Sequence, residues 1–413
     1  MRVEKNVPEI RFEGFSGEWA QRPFGDCFDN IPNNTLSRAD LNYEHGIAKN
    51  VHYGDVLIKF GEILDASDTS IPFVTDENVV GKQKHAALKN GDIVIADAAE
   101  DSTVGKCTEL FNIDEQVILS GLHTIAVRPN LPFASKYLGY YLNSSSYHDQ
   151  LLPLMQGTKV LSISKTALKN TSVNFPSANE EQTAIGNTFQ KLDNLINQHQ
   201  QKHDKLSNIK KAMLEKMFPK QGETMPEIRF KGFSGEWEEI ELSDEVTFIN
   251  GRAYSQEELL DKGKYTVLRV GNFYTNSSWY YSDLELGDKY YADNGDLLYT
   301  WSASFGPHIW NGDKVIYHYH IWKLELSENV DKLFLLHLLD YDRAKILSGS
   351  NGSTMIHITK SAMEAKKVFI PKKDEQIVIG NYFQKLDVLI KHHQQQITKL
   401  NNIKQACLSK MFV

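Results

Sequence analysis

The chain has 413 residues, of which 41% are hydrophobic and 24% are charged, and its formal net charge is −8 at pH 7. This balance is typical of a globular protein with room for about two or three domains, and it disfavours a simple nucleic-acid binder that is basic throughout. No run approaches the roughly 18 apolar residues that span a bilayer, and the N-terminal segment lacks the apolar core of a signal peptide. We therefore expect a cytoplasmic protein without membrane contact.

The first element along the chain is a block of sequence PEIRFEGFSGEW at residues 8–19. The block recurs 218 residues later, at 226–237, where Lys231 replaces Glu13. A longer segment, which runs from Ile185 to Phe218, also recurs, in this case 194 residues later. Repeats of this size are far longer than the roughly 20 to 50 residues of stacked repeat arrays. The sequence therefore predicts a chain that behaves as a fused dimer with an internal pseudo-two-fold axis.

Two inserts, residues 20–150 and 238–345, separate the repeated blocks and share almost no alignable sequence. Both are acidic, with 10 basic against 18 acidic residues in the first and 10 against 19 in the second. The repeated segments 155–218 and 355–413 carry net charges of +4 and +6. The basic part of the chain is therefore the duplicated frame, and the inserts are individual.

Both inserts are predicted to be compact α+β domains. Gly-Asp followed by apolar residues predicts a turn that opens into a buried strand, and regular alternation predicts a further strand. The first pattern occurs at 54–58, 91–95 and 295–299, and the second occurs at 315–324. Helical patterns follow at 135–152 and 330–347, and matching loops come next at 157–159 and 352–354.

The repeated segments after the inserts predict two long helices. From Ile185 and from Ile379 the seam positions advance by four and three residues for more than four heptads, which is typical of a coiled coil. We expect the first helix to start at Asn179 or Glu180 and the second at Asp374, each with about 33 residues and a length on the order of 50 Å. The residues predicted to pair the helices are Ile185, Phe189, Leu192, Ile196, Leu206, Ile379, Phe383, Leu386, Ile390 and Leu400.

A helix with one apolar stripe must bury that stripe, and the simplest partner is the other copy. Antiparallel pairing would place one insert at each end of a helical rod that acts as a spacer. The alternative is that each helix packs on its own neighbouring domain. His199 and His393 occupy matching seam positions. We interpret them as polar residues that set the register, and a metal-binding pair is the alternative.

Candidate DNA contacts lie in loops of the inserts and in the loops that follow them. An arginine fork suits guanine or phosphate, whereas aromatic and hydroxyl side chains suit base stacking and base-edge hydrogen bonds. The candidates are Lys59, Lys82, Lys84, Thr158, Lys159, Arg252, Tyr254, Trp301, Ser302, Ser304, Ser353 and Thr354. A solvated loop is the alternative interpretation of Arg252 and of Lys59, Lys82 and Lys84, and core packing is the alternative for Trp301.

Motifs for several kinds of chemistry are missing from the sequence. No glycine-rich cofactor loop accompanies an Asn/Asp-Pro-Pro-aromatic tetrad, and no phosphate loop of the G-x-x-x-x-G-K-[ST] type is present. The three cysteines, Cys27, Cys107 and Cys407, lie far apart and lack zinc-site spacing. We therefore predict no catalytic residue and no metal site in this chain, so that catalysis is supplied by other proteins.

Several of these segments resemble the specificity subunit of Type I restriction-modification systems. They are the doubled PEIRFxGFSGEW block, Glu181-Gln182, the segments 189–193 and 214–218, and the phrase 295–306. The resemblance covers the full length. It implies an α+β protein in which two target recognition domains, separated by an antiparallel coiled coil of two long helices, read the two halves of an interrupted double-stranded DNA sequence.

The resemblance also implies partners and cofactors. Two methylation subunits would use S-adenosylmethionine to methylate adenine, and two ATP-driven, Mg-dependent restriction subunits would complete the nuclease that defends against foreign DNA. This chain would bind no cofactor itself. The predicted domains are 1–154 and 221–350, which contain the repeated block and recognition domain of each copy, and the helical spacers 155–220 and 351–413. The alternatives are a protein-only coiled-coil scaffold and a self-sufficient DNA-modifying enzyme.

Overall fold

A computed structural model describes residues 6–274, 276–302, 304–349 and 358–413. They form two compact units, of which unit 1 contains the chain up to His199 together with Gln395–Val413, and unit 2 contains Gln200–Gln394. Both long helices are therefore shared between the units. The domain boundaries predicted from the sequence divide the chain into consecutive segments, whereas unit 1 combines two segments that are distant in the chain. These boundaries stay a prediction.

Unit 1 combines short helices with small sheets. Its strands are β1 Ala20–Pro23, β2 Phe28–Ile31, β3 Leu41–Asn42, β4 Ala48–Val51, β5 Ile63–Asp65, β6 Phe73–Val74, β7 Ile93–Ala96, β8 Ala98–Ala99, β9 Cys107–Phe111, β10 Val117–Ser120, β11 Thr124–Pro129, β12 Leu161–Ser162 and β13 Ser172–Phe175. Its helices are α1 Phe24–Cys27, α2 Tyr53–Ile58, α3 Glu77–Gln83, α4 Tyr137–Leu142, α5 Ser145–His148, α6 Lys165–Lys169 and the first half of α7 Asn179–Lys216.

Unit 2 has the same kinds of element in a similar order. Its strands are β14 Glu238–Glu241, β15 Val246–Asn250, β16 Tyr265–Leu268, β17 Tyr280–Ser282, β18 Tyr291–Ala292, β19 Leu297–Thr300, β20 Gly306–Ile309, β21 Val315–Tyr317, β22 Ile321–Leu326 and β23 Lys367–Ile370. Its helices are α8 Leu242–Glu245, α9 Lys332–Gly349, α10 Lys360–Glu364 and the first half of α11 Lys373–Lys410. The second half of α7 also belongs to unit 2, and the second half of α11 belongs to unit 1. Within the described ranges, no helix combines the length and apolar character that crossing a membrane requires.

The two units share a topology that their insert sequences conceal. One sheet has the strand order β2-β11-β7-β9-β5 in unit 1 and β15-β22-β19-β20 in unit 2. A second sheet in each unit contains a parallel pair, β4 with β10 and β16 with β21. The inserts are therefore individual in sequence, as expected, and similar in architecture, because the buried strand pattern tolerates many apolar sequences.

The long helices run antiparallel inside each unit. In unit 1 the rings of Phe189 and Phe412 stack with centroids 5.6 Å apart, and Lys404 Nζ lies 2.7 Å from Asp193 Oδ1. In unit 2 Lys210 Nζ lies 2.7 Å from Asp387 Oδ1. Each helix spans 38 residues, which is longer than expected. The predicted pairing of one helix with the other is confirmed, and the alternative that each packs only on its own domain is wrong.

The seam follows the predicted period. Every predicted seam position is buried or half-buried, whereas most of the helix surface between them is exposed. Ile185 and Phe189 belong to the core of unit 1, and Ile379, Phe383 and Leu386 belong to the core of unit 2. The remaining predicted pairing residues, Leu192, Ile196, Leu206, Ile390 and Leu400, are half-buried, as are His199 and His393.

The repeated block at 8–19 fastens the start of a long helix. Arg11 donates to both carboxylate oxygens of Glu181, at 2.7 and 2.8 Å, and also to the carbonyl oxygen of Gly17. In the second copy Arg229 makes the same bidentate pair with Glu375, at 2.6 and 2.6 Å. The duplicated sequence therefore encodes a duplicated contact, in which a buried carboxylate in the first turn of the helix is held by a fixed arginine fork.

The duplicated glycines of the long helices mark close approaches. A Cβ atom on Gly186 would lie 3.2 Å from the backbone carbon of Lys136, and one on Gly380 would lie 2.7 Å from the backbone nitrogen of Phe334. Because backbone atoms cannot yield as a side chain does, these positions require glycine where α7 and α11 meet the insert of their own unit.

Three local predictions are wrong. Residues 54–58 form helix α2 and not a strand, because the His52 ring accepts a hydrogen bond from Gly54 N and caps a helical turn. The predicted helix 135–152 is broken into α4, α5 and a 3-10 turn, since the Asn143 amide bonds the Gly139 carbonyl and ends α4. The predicted strand 315–324 is two strands, because the chain passes from one sheet to the other between β21 and β22.

Replacing Arg11 by Ala should lower the free energy of unfolding by about 3 kcal/mol, because Glu181, whose side chain is 2% exposed, would remain as an unpaired buried charge. Guanidinium denaturation followed by tryptophan fluorescence measures the change. Arg22 is exposed on β1, and Arg22→Ala is the matched control with an expected effect within about 0.5 kcal/mol. Equal effects of the two variants would contradict the role given to the Arg11–Glu181 pair.

Candidate nucleic-acid interface

Several strands of each unit end at one place, and the residues that follow them form what we call the strand-end cluster. In unit 1 the cluster consists of Asn34, His52, Asp97 and residues 121–123, and in unit 2 it consists of Arg252, Arg269, Trp301 and residues 318–320. Residues that follow strand ends are not committed to a sheet, and loops held by a rigid scaffold commonly carry binding residues. The strand-end clusters are therefore the candidate sites.

Backbone hydrogen bonds show that the two clusters correspond residue by residue. Gly121 N donates to Val51 O at 2.9 Å, and His318 N donates to Leu268 O at 2.9 Å. A second pair of contacts also matches: Asp97 N donates to His123 O in unit 1 and Trp301 N donates to His320 O in unit 2, each at 3.1 Å.

The third contact completes the correspondence. Asn34 N donates to Ser120 O at 2.8 Å, and Arg252 N donates to Tyr317 O at 3.1 Å. On this basis Asn34 is equivalent to Arg252, His52 to Arg269, and Asp97 to Trp301. The equivalence could not be obtained by aligning the sequences, because the loops around these positions differ in length and composition.

The cluster of unit 2 is aromatic and basic. The Trp301 ring lies 4.8 Å from the His320 ring, and its Nε1 donates to the Tyr319 carbonyl oxygen at 2.9 Å. His318 lies next to Tyr254, with ring centroids 6.4 Å apart. Aromatic faces of this kind can stack on bases, while imidazole and hydroxyl groups can bond base edges.

The two arginines of this cluster differ in what surrounds them. Arg252 gives both terminal nitrogens to Glu258, at 3.0 and 2.6 Å, and this pairing holds the pKa of Glu258 down at about 2. Arg269 lies with its guanidinium 4.1 Å from the centre of the Tyr280 ring. No carboxylate pairs with Arg269 in the described part of the chain. The guanidinium of Arg252, which was predicted from the sequence to contact DNA, is therefore already bound by a carboxylate. The guanidinium of Arg269 is not.

The cluster of unit 1 is more polar and less basic. The buried Asn34 amide donates to Asn50 Oδ1 at 2.6 Å, and His123 Nδ1 lies 3.3 Å from Asp97 Oδ1. His123 has a φ of 54°, which is rare for a residue with a Cβ atom and is more often found at functional sites. Asparagine can bond adenine through two atoms, although here the Asn34 side chain is engaged by the protein.

A basic network adjoins the cluster of unit 1. Arg38 binds both carboxylate oxygens of Asp55, at 2.8 and 3.0 Å, and its Nη2 lies 3.3 Å from His52 Nδ1. Lys59 contacts the Tyr43 hydroxyl at 3.0 Å. Lys59 Nζ also lies 3.5 Å from Asp55 Oδ1, so the carboxylate of Asp55 holds both Arg38 and Lys59 at the surface. Lys59 was predicted from the sequence as a DNA contact, whereas Arg38 and Tyr43 were missed because they belong to no motif.

The other predicted contacts lie elsewhere. Lys82 and Lys84 are exposed on α3 and the 3-10 turn that follows it. Thr158 and Lys159 are exposed at the turn before β12, which pairs with β8 directly after Asp97. Ser302 is buried and Ser304 is exposed beyond Trp301. Ser353 and Thr354 lie outside the described residues, so the predicted match between the two loops stays a prediction.

Burial keeps two imidazoles of unit 2, those of His308 and His318, neutral at pH 7. Burial, with the nearby charges of His320 and Arg269, lowers the pKa of His318 to about 4. Burial, with the Arg343 charge, lowers the pKa of His308 to about 4 as well. At neutral pH both rings are therefore neutral hydrogen-bonding groups. Among the described residues, no group of three or more His, Cys, Asp or Glu side chains could hold a metal ion.

The chain is similar to proteins of one family in both sequence and fold. The family described as the Type I restriction modification DNA specificity domain matches residues 47–208 and 234–402, which is one match for each copy of the frame. A Methanocaldococcus jannaschii protein assigned as the specificity subunit of the type I restriction enzyme MjaX is 23% identical over 333 residues, which is 77% of each chain. The MjaVIII specificity subunit of the same organism is 27% identical over 181 residues, or 43% of this chain and 42% of that subunit.

Two solved structures have a similar fold. The crystal structure of the S subunit of a Type I restriction-modification system from M. genitalium superposes with a TM-score of 0.64 at 16% identity, over 98% of this chain and 99% of that one. A chain from a study of complex assembly and conformational transition of the type I system superposes with a TM-score of 0.51 at 16% identity, over 97% and 98% of the two chains.

Acidification should destabilise unit 2 between about pH 6.5 and about pH 4. The unfolded imidazoles titrate near 6.5, whereas folded His308 and His318 have pKa values of about 4, so the unfolded chain binds more protons in this window and gains stability relative to the fold as pH falls. Denaturation at a series of pH values measures the slope. Replacing both histidines by Gln should reduce the slope, and replacing the exposed His45 should not. Part of the slope should remain in the double variant, because burial lowers the pKa of His337 in the same unit to about 3. An unchanged slope in the double variant would oppose this account.

Proposed function

The chain belongs to the Type I restriction modification DNA specificity family, and on that premise we propose that it recognises a DNA target made of two separated half-sites and directs methylation and restriction subunits to that target. The observation that carries the proposal is the pair of strand-end clusters. They occupy equivalent places in one topology and present different side chains, as two different half-sites require.

Each unit, on this proposal, reads one half-site. The aromatic and basic cluster of unit 2, with Arg269 and Trp301, suits bases that offer acceptors and stacking faces. The cluster of unit 1, with Asp97 and His123 at its surface, offers both donors and acceptors and little positive charge. Unlike side chains at equivalent positions would give the two halves of the target unlike sequences.

The acidity of the inserts is compatible with this role if partner proteins supply most contacts with the DNA backbone. Phosphate contacts fix the position of a protein on DNA, whereas base contacts carry the sequence information. A specificity subunit inside a larger complex then needs only a local polar or basic surface. The similar chain from a study of complex assembly of the type I system supports the expectation of partner subunits.

Catalysis and cofactors are assigned to those partners. Two methylation subunits would bind S-adenosylmethionine, and two restriction subunits would bind ATP and Mg. The assignment is supported by the absence from this sequence of the glycine-rich cofactor loop, the adenine-methylation tetrad and the phosphate loop. The matched family and relatives concern specificity subunits, and nothing in them favours a protein-only scaffold or a self-sufficient enzyme.

The paired helices are proposed to set the gap between the half-sites. Each helix continues without a break for 38 residues, about 57 Å at 1.5 Å per residue. Inside each unit a buried or half-buried Lys–Asp pair and an aromatic contact hold one helix against the other. A paired helix resists bending and stretching far better than a flexible linker, so it can define a length.

Exchanging residues 20–150 for the corresponding insert of a relative should change one half of the methylated sequence and leave the other half as it was. Sequencing of methylated adenines in a host with the wild-type chain, with the exchanged chain and without either measures the outcome. We expect sequence-specific methylation to persist with the wild-type and the exchanged chain and to disappear when the chain is absent. A chain whose removal leaves the methylation pattern intact would refute the proposed function, and a change in both halves would show that the units do not read independently.

Inserting one heptad after His199 and another after Gln394 should lengthen both helices by about 10 Å, equivalent to about three base pairs of target. The preferred gap should grow by that amount while both half-sites stay the same. Seven residues inserted at the exposed Gly222 turn serve as the control and should leave the gap as it is. If the variant with both insertions is active and its gap is unchanged, the proposal that the paired helices set the gap is rejected.

A further inference from the structure

Arg269 is the arginine of the strand-end cluster that the protein leaves available. It follows β16 directly and lies beside His318, whose backbone N donates to the Leu268 carbonyl oxygen at 2.9 Å. Its guanidinium stacks 4.1 Å from the centre of the Tyr280 ring. Its Nε is buried and has no hydrogen-bond partner in the described part of the chain. The side chain is therefore held in orientation by an aromatic face and not by a carboxylate.

The other arginines near the clusters are occupied. Arg252 in unit 2 is bound through both terminal nitrogens by Glu258. Arg38 in unit 1 is bound in the same way by Asp55. A guanidinium whose fork is filled by a carboxylate must lose that partner before it can contact another planar acceptor. Arg269 carries no such cost.

The equivalent position in unit 1 has different chemistry. His52 replaces Arg269 there, and its Nδ1 already accepts from Gly54 N at 3.1 Å. The Arg38 guanidinium also lies 3.3 Å from this ring nitrogen. Unit 1 therefore offers a small, internally bonded imidazole at the place where unit 2 offers a long charged fork. This is the kind of difference that lets two copies of one scaffold select different bases.

We infer that Arg269 is a specificity-determining residue that reads a guanine in the half-site of unit 2, donating from its fork to guanine O6 and N7. The inference rests on the proposed function. Guanine presents two acceptors in one plane in the major groove, and a planar fork with a fixed orientation matches them. An arginine fork also suits phosphate. The lysine variant and the randomised targets below separate the two contacts, because a phosphate contact carries no sequence preference.

The test compares Arg269→Lys and Arg269→Gln with wild type in the complete complex with its methylation subunits, on a library of targets randomised in both half-sites. Arg269→Gln should reduce the preference for guanine at one position of the unit 2 half-site by about 10- to 100-fold. Arg269→Lys keeps the charge and lacks the planar fork, so it should relax the same position while overall binding stays close to wild type. The half-site of unit 1 should be unchanged.

Several outcomes would overturn the inference. Uniform weakening on all sequences, with rescue by lysine, would identify a phosphate contact. An unchanged preference at every position would show that Arg269 does not touch a base. Arg22→Gln, which removes an exposed arginine from β1 of the other unit, should behave as wild type, and thermal melting of each variant checks that it folds. If the wild-type complex itself selects no sequence, the proposed function has failed and not the role of Arg269 alone.

Discussion

The rest of the structure depends on the burial of one phenylalanine, two residues beyond the end of each long helix, in the core where the other helix begins. Phe412 lies within 5.6 to 6.4 Å, between ring centroids, of four aromatic rings in unit 1, and Phe218 does the same within 5.3 to 6.3 Å in unit 2. Removing such a buried ring typically costs about 3 to 5 kcal/mol. Because each ring comes from the far end of the sequence repeat, neither core is complete without both helices, and their antiparallel order follows.

Polar contacts then select one register along that apolar seam. Lys404 pairs with Asp193 in unit 1, and the repeated Lys210 pairs with Asp387 in unit 2, each at 2.7 Å. Each lysine also contacts a second carboxylate, and this one differs between the units: Glu62 lies 2.8 Å from Lys404 Nζ, and Asp340 lies 3.5 Å from Lys210 Nζ. Removing water from such ions offsets much of their attraction, so we assign these pairs to register more than to stability. A single polar pair at a seam is enough to penalise a shift by one turn.

This frame allows the recognition surfaces to diverge without loss of the fold. Four strands of the larger sheet keep the same order in both units. The residues that follow the strands contact one another through backbone atoms, so their side chains can differ between the units without change to these contacts. Arg269, Trp301 and Arg252 in one unit and His52, Asp97 and Asn34 in the other are the result. The chain therefore combines a shared scaffold with two sets of unlike side chains at equivalent strand ends, and these are the sets to which we propose to assign base recognition.

The sequence by itself determined the duplication, the two long helices, their seam and the family. Repeated segments and a 3.5-residue period can be recognised in the order of residues alone, without knowledge of which residues are in contact. Only the tertiary structure decided that the inserts share a topology, that residues 54–58 form a helix and that Arg269 rather than Arg252 has an available fork. These features depend on a capping side chain, on partners many residues away in the chain and on which carboxylate reaches which guanidinium. The shared topology joins strands that are distant in the chain. The His52 cap and the Arg252–Glu258 pair join residues only two and six positions apart, but the folded backbone decides which of these side chains meet, and no pattern of residue types encodes that choice.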